Sequence, residues 1–144
     1  MERLLKFYIN GEWVVPQSTE TMPVLNPATA EQVAEVALGN EADVDVAVAA
    51  AKAAFEHFSQ TSKSERLALL RRIRLVSERR FEELAQAMRL EMGAPITMAR
   101  EAQADAAIGH LDGFIHALEK LEEQERFDNG EVVLKEPIGV CGLI

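Results

Sequence analysis

Few side chains in this sequence have the type and the spacing that chemistry requires. The single cysteine, Cys141, could be a nucleophile, but it lies in an apolar run with no acid or base beside it. We therefore expect a buried, structural thiol, because burial disfavours the reactive thiolate. The sequence contains no Gly-rich phosphate loop and no His/Cys cluster with metal-ligand spacing. Of the histidines, His57 is expected at the surface, His116 has no partner at i, i+4, and His110 neighbours a candidate ligand channel.

A stripe of small residues creates that candidate channel on the third predicted helix. Its members are spaced by four, three and four residues, which places them on one helical face. Two of them are glycines, and each glycine costs a helix roughly 1 kcal/mol relative to alanine. The stripe therefore indicates close packing of a helix or sheet, or else the wall of a ligand channel. It consists of Ala102, Ala106, Gly109 and Gly113.

The first 40 residues are predicted to form strands and turns. Asn10-Gly11 is a strong hairpin signal, because both residues tolerate a positive φ. Further extended segments are centred on Val24-Leu25 and on residues 33–38, with turn residues from Asn26 to Thr29 between them. We expect these segments to form one small antiparallel sheet.

Three long helices are predicted after residue 40. The second carries an apolar stripe and is expected to run without interruption to Gly93, which suits a left-handed helix cap. Its arginines alternate with glutamates, which predicts a solvated face. The third helix is predicted from about Ile96 to Glu125. The capping pairs that open the first two helices are Asn40 with Asp43 and Ser62 with Glu65.

The end of the sequence returns to β-prone residues. Asp128-Asn129-Gly130 predicts a turn, and Glu131 to Lys135 a strand. The run from Ile138 to Ile144 is apolar without alternation, which is typical of a strand buried on both faces of a parallel sheet. We expect the chain to stop at the start of an α/β domain. The alternative is a lone strand added to the N-terminal sheet.

Composition and charge exclude several classes of protein. With 144 residues, 48% hydrophobic and 27% charged, the chain is expected to fold rather than to remain disordered. No run approaches the roughly 18 apolar residues of a membrane span, so we expect no membrane partner and a cytoplasmic location. A net charge of −9 disfavours binding to nucleic acid. One cysteine allows no internal disulfide.

Three segments in collinear order resemble the N-terminal third of the aldehyde dehydrogenase superfamily. They are Phe7 to Val14, Val24 to Phe55, and Glu136 to Ile144. The resemblance implies an α/β fold with small antiparallel β segments, three long helices, a β arm and the first strand of a parallel Rossmann-like sheet. It divides the chain into the N-terminal part of the cofactor-binding domain, an oligomerisation arm and the first strand of a truncated dinucleotide-binding sheet. These regions are residues 1–118, 119–137 and 138–144.

The same resemblance implies an oxidoreductase that uses NAD or NADP. In that family a cysteine thiolate attacks an aldehyde, hydride passes to the cofactor, and the thioester is hydrolysed to a carboxylic acid. The residues of that mechanism would follow Ile144, so Cys141 is not the family nucleophile and the chain alone is expected to be inactive. A homo-oligomer is implied. The alternative is a standalone helical interaction or oligomerisation module without catalytic activity.

The resemblance also implies peripheral roles for a few residues. Ile144 matches the first residue of the edge that contacts the cofactor through its backbone. Val24, Leu25 and Glu91 match positions that hold a monovalent cation in some members, although aspartate is usual where this chain has Glu91. A carboxylate with backbone carbonyls is suitable chemistry for a hard cation. Ala106 falls near the aldehyde entry tunnel.

Overall fold

The computed structural model describes residues 2–143, and it begins with a 3₁₀ turn at Glu2–Leu5 and a β-hairpin. Strands β1 (Phe7–Ile9) and β2 (Glu12–Val14) pair antiparallel. Asn10 and Gly11 connect them with φ values of 52° and 83°. The predicted hairpin is therefore confirmed, and its turn uses the positive φ that these two residue types accept.

A second hairpin follows, but it does not join the first. Strands β3 (Thr21–Leu25) and β4 (Gln32–Ala37) pair antiparallel, with a register irregularity between Val24 and Leu25. Within the described residues the two hairpins form separate two-stranded sheets, so the expectation of one small sheet is wrong. The intervening loop explains this, because its backbone N–H groups bind a side chain of the first helix rather than another strand.

Helices α1 (Glu41–Phe58) and α2 (Lys63–Arg79) begin where the capping pairs predict. At each start, the side chain of the cap residue accepts from the backbone N–H three residues on. The acidic side chain at that third position accepts from the cap's own N–H in return. Both capping boxes are confirmed, and they satisfy N–H groups that a helix start leaves free.

The second predicted helix is broken. It ends at Arg79, and α3 (Phe81–Met92) begins after Arg80, whose φ of −104° and ψ of 15° interrupt the helical path. The break lets α3 turn and pack against the segment from Ala99 onward. Gly93 ends α3 with a φ of 68°, as predicted.

The third predicted helix is shorter than expected and irregular. It consists of α4 (Ile96–Met98), a π turn (Ala99–Ala104) and α5 (Asp105–Lys120). Leu121 is extended, with a ψ of 120°, so the helix stops before it rather than at Glu125. Strands β5 (Gln124–Arg126) and β6 (Val132–Leu134) then form an antiparallel hairpin around the predicted turn.

The core is small and is centred on alanine. Ala85, Ala99 and Ala104 are fully buried where α3 meets the π turn. Helix α2 packs on α5, yet Ile73 and Val76 of its predicted core stripe remain 43% and 42% exposed. The α5 stripe is half-buried against α2, as expected; it consists of Ile108, Leu111, Ile115 and Leu118.

The final apolar run does not form the predicted buried strand. Residues 137–143 have no regular secondary structure, and Ile138 and Leu143 are 93% and 97% exposed. Cys141 is exposed as well, so the expectation of a buried thiol is wrong. A strand in a parallel sheet needs hydrogen-bonding neighbours, and the described part of the chain offers none to this run. Across residues 2–143, no helix combines the length and the apolar character of a membrane span.

Candidate functional site

The candidate cation residues lie at a junction between the second hairpin and the end of α3. The turn from Asn26 to Ala30 connects β3 and β4, and the Asn26 side-chain Oδ1 accepts from the Ala28 N–H at 2.9 Å. The turn packs on the end of α3 so closely that a Cβ at Gly93 would lie 2.7 Å from Pro27 Cγ. The fold thus places the turn that follows β3 against the C-terminus of α3.

The backbone segments meet at this junction, but the side chains of the candidate cation residues do not point to one enclosed site. Val24 is half-buried, whereas Leu25 and Glu91 are exposed. A cleft of about 310 Å³ lies beside them, with Asn26, Thr29 and Arg89 among its polar lining. Within residues 2–143, no three His, Cys, Asp or Glu side chains are grouped to hold a metal ion. A cation here would depend on backbone carbonyls with a single carboxylate.

The small-residue stripe forms an open face of α5. Ala106 is half-buried just after the π turn, whereas Gly109 and Gly113 are exposed. A Cβ built on either glycine would meet nothing within 4 Å. Close packing within the described chain therefore does not explain these glycines.

The groups that could act as nucleophile or base lie apart. His57, His110 and His116 are each exposed, which confirms the surface position expected for His57. The Cys141 thiol hydrogen-bonds to the Gly139 carbonyl oxygen, with the Sγ and O atoms 3.8 Å apart. Activation of a thiol requires a neighbouring base or cation. Ile144, expected at the edge of the cofactor site, lies outside the described residues.

The described residues do not fit a dinucleotide. The pyrophosphate of NAD is typically bound by a glycine-rich turn at a helix N-terminus. The α1 and α2 N-termini are occupied by their own capping boxes. The cleft at the end of α5 has a volume of about 540 Å³ and is lined by charged side chains, Lys120, Glu125 and Arg126 among them. It offers no such turn.

Sequence reasoning missed two interactions that hold the elements in place. Asp43 was expected to cap α1, but its carboxylate also accepts from the backbone N–H groups of Gln17 and Ser18, at 2.7 and 3.2 Å. Glu82 of α3 accepts two hydrogen bonds from the Arg100 guanidinium in the π turn, at 2.9 and 2.7 Å. Both partners lie far away in sequence, so no local pattern could have identified them.

Two solvated arginines of α2 form ion pairs with acidic side chains of α5. Arg71 pairs with Glu119 of α5 at 2.6 Å, and Arg74 pairs with Asp112 of α5 at 2.5 Å and with Glu78 of its own helix at 2.7 Å. These ion pairs border the apolar contact between α2 and α5. The charged face predicted for α2 therefore also helps to fix the position of α2 relative to α5.

This α/β architecture is shared with solved structures of aldehyde dehydrogenases. An aldehyde dehydrogenase from Bartonella henselae matches with a TM-score of 0.84 and 39% identity, over 88% of this chain and 26% of that chain. Aldehyde dehydrogenase C from Pseudomonas syringae, a mutant complexed with NAD⁺ and octanal, matches with a TM-score of 0.84 and 46% identity. That match covers 86% of this chain and 26% of the other.

The sequence comparisons agree with the fold. The model of the aldehyde dehydrogenase family matches residues 13–144. A relative from Staphylococcus aureus (strain bovine RF122 / ET3-1), whose name describes an aldehyde dehydrogenase, is 44% identical over all 144 residues. The chain belongs to the aldehyde dehydrogenase family. It spans 30% of the length of that relative.

Proposed function

We propose that this chain is the N-terminal part of an NAD(P)-dependent aldehyde dehydrogenase that oxidises an aldehyde to a carboxylic acid. The main support is the collinear match to the Staphylococcus aureus relative over all 144 residues at 44% identity. The fold also matches that of the Bartonella henselae enzyme with a TM-score of 0.84. The related structures include complexes with NAD⁺, one of them also with octanal. These support NAD or NADP as the hydride acceptor and an aldehyde as the substrate.

We propose that the chain alone is inactive. Its single thiol is exposed and hydrogen-bonded to a backbone carbonyl. The described residues lack a site for a dinucleotide. A thioester mechanism needs both an activated thiolate and hydrogen-bond donors at the developing oxyanion. Those groups would come from the part of the protein that the relatives possess beyond this match.

The same proposal assigns a role to each of three regions of the chain. Residues 1–118 would form the N-terminal part of the cofactor-binding domain, and 119–137 would form the arm that contacts a neighbouring subunit in a homo-oligomer. The exposed β5–β6 hairpin supports the second assignment, because a two-stranded hairpin is marginal without a third strand or a cover. Residues 138–144 would pair with strands of the dinucleotide-binding sheet, and Ile144 would contact the cofactor there. A cytoplasmic location is part of this prediction.

A monovalent cation site is the remaining element of the proposal. Its ligands would be the carbonyls of Val24 and Leu25 with the Glu91 carboxylate. The register irregularity between those two strand residues and the contact of the adjoining turn with Gly93 support it. Ala106 would line the aldehyde entry tunnel, and the open face of α5 that follows it supports that position.

The test is reconstitution of activity from two parts. The chain would be co-expressed with the portion of Pseudomonas syringae aldehyde dehydrogenase C that follows the matched quarter, taken with its cysteine intact. We expect the two parts to co-purify and to form NADH from NAD⁺ and octanal, whereas each part alone forms none. NADH formation by the 144-residue chain alone would overturn its predicted inactivity. A folded C-terminal part that does not bind the chain would contradict the proposed role.

A standalone interaction module makes the opposite prediction for the chain by itself. It would be monodisperse and would unfold cooperatively, because its own core would suffice. The small core, whose fully buried members are three alanines, and the exposed apolar side chains of α2 argue against that alternative. Size-exclusion chromatography with a thermal melt separates the two.

A further inference from the structure

The base of the β5–β6 hairpin is tied to the start of α2. Lys63 Nζ donates to the carbonyl oxygen of Leu121, the first residue after α5, at 2.8 Å. Two residues further on, Glu123 pairs with the guanidinium of Arg66. The Lys135 N–H donates to the Glu123 carbonyl oxygen at 2.9 Å, so the returning strand is held at the same point.

Beyond this base, little holds the hairpin. Every residue of β5 and β6 is exposed, and the strands pair only with each other among the described residues. The contacts just after α5 therefore determine the direction in which the hairpin projects. The contacts at that point come from one face of α2, separated by about one helical turn.

We propose that Lys63 and Arg66 are positioning residues that fix the direction of the β5–β6 hairpin, and that high salt releases it. We call the contacts of Lys63 with Leu121 and of Arg66 with Glu123 the clasp. The assembly role of the hairpin rests on the proposed function, but the clasp does not. Lys63 supplies a cation at the C-terminus of α5, where free carbonyls and the helix dipole favour positive charge. Arg66 is 28% exposed and Glu123 is 49% exposed, so both side chains contact solvent, and 1 M salt, with a screening length of about 3 Å, weakens their attraction.

The same pair of helices contains a matched control. Arg74 and Asp112 also join α2 to α5, and their side chains are 29% and 52% exposed. Their burial therefore matches that of the Arg66–Glu123 pair, but they lie away from the hairpin. A general loosening of α2 from α5 should follow from loss of either pair, whereas release of the hairpin should follow only from loss of the clasp.

Hydrogen exchange of the 144-residue chain, followed by mass spectrometry, tests the clasp. In the double variant Lys63→Met/Arg66→Met we expect the hydrogen-bonded amides within residues 132–135, Lys135 among them, to exchange roughly tenfold faster, because the hairpin opens more often once its base is released. Salt at 1 M should produce a similar increase in the wild type and no further increase in this variant. Arg74→Met should leave these amides at the wild-type rate.

Charge exchange provides the second measurement. Arg66→Glu alone should release the hairpin, and Arg66→Glu with Glu123→Arg should restore most of its protection. Continued protection of residues 106–116 in each variant shows that α5 is still folded. Unchanged exchange at residues 132–135 in the double variant, or an equal increase in Arg74→Met, would overturn the proposal. None of these readouts depends on aldehyde oxidation, so the clasp and the proposed function fail separately.

Discussion

At the scale of single residues, the Asp43 carboxylate connects the loop before β3 to the start of α1. It accepts from the N–H groups of Gln17 at 2.7 Å, Asn40 at 3.0 Å and Ser18 at 3.2 Å. These bonds, that of Gln17 foremost, hold the pKa of Asp43 below its ordinary value. The carboxylate acts as both a helix cap and a long-range tether.

Asp43→Asn should release this loop. An amide side chain carries one acceptor oxygen instead of two and presents an NH₂ group to at least one backbone donor, so one or two of the three bonds are lost. We expect the Gln17 and Ser18 amides to exchange roughly tenfold faster in hydrogen-exchange NMR. Asp45→Asn, an exposed position on the same helix, is the control and should change neither amide. Equal protection in Asp43→Asn and wild type would contradict the tether.

The Glu82–Arg100 pair gives a prediction for pH. Hydrogen bonds from Arg100, and then from Gln86, lower the pKa of Glu82 from 4.5 to about 2. Because the folded state holds the proton less tightly than the unfolded state, the pair stabilises the fold above pH 4.5. That contribution is lost as the pH falls from there towards about 2.

The measurement is an NMR titration of the Glu82 carboxyl carbon. The midpoint should lie near 2 in the wild type and move towards 4.5 in Arg100→Met. Arg80→Met removes a guanidinium that pairs with Glu83 instead, so it should leave the Glu82 midpoint in place. A wild-type midpoint at the ordinary value would show that the pair does not persist in solution.

At the scale of elements, replacing glycine by alanine should change the free energy of unfolding in opposite directions at two positions. Gly93 has a φ of 68°, and a Cβ there would lie 2.7 Å from Pro27 Cγ. Gly93→Ala should therefore lower the free energy of unfolding by about 1–2 kcal/mol or more. Gly109 lies within α5 with open space around its Cβ position, so Gly109→Ala should raise it by about 1 kcal/mol. Urea unfolding followed by circular dichroism measures both, and equal effects would contradict the assigned conformations.

The elements also show what the sequence could predict. The Asn10-Gly11 turn, both capping boxes and the cap at Gly93 follow from local chemistry, and all are confirmed. The break at Arg80 and the π turn were missed, because neither has a local signal such as glycine or proline. They arise where α3 folds back on the π turn, with Ala85, Ala99 and Ala104 buried between them.

The candidate cation site could be predicted from the family resemblance but not from a local sequence pattern. The residues proposed for the cation lie on β3 and α3, and only the family resemblance related them in advance, because their separation in sequence carries no spacing rule. The buried strand expected at the end of the chain failed for a physical reason. An apolar run without alternation indicates burial, but burial requires partner strands that the described chain does not supply.

At the scale of the whole molecule, the surface is too large for a self-contained domain. The accessible surface is 11024 Å². A compact monomer of 15.9 kDa would expose roughly 7,400 Å². The excess of about 3,600 Å² is comparable to the area buried in an extensive permanent interface. Exposed apolar side chains contribute to it, including Phe114 on the open side of α5 and Ile138 and Leu143 in the final run. This is the surface expected of a part that is completed by further polypeptide.

The final apolar run should therefore make the isolated chain self-associate. Sedimentation velocity of the 144-residue chain should show larger species that grow with concentration. Ile138→Lys with Leu143→Lys removes two almost fully exposed apolar side chains, each worth roughly 1.5–3 kcal/mol when buried. The double variant should need at least a tenfold higher concentration to associate. Val15→Lys, at a 76% exposed position in the N-terminal region, is the control and should behave like the wild type. A wild-type chain that stays monomeric at every concentration, with a cooperative melt, would instead favour a self-sufficient module.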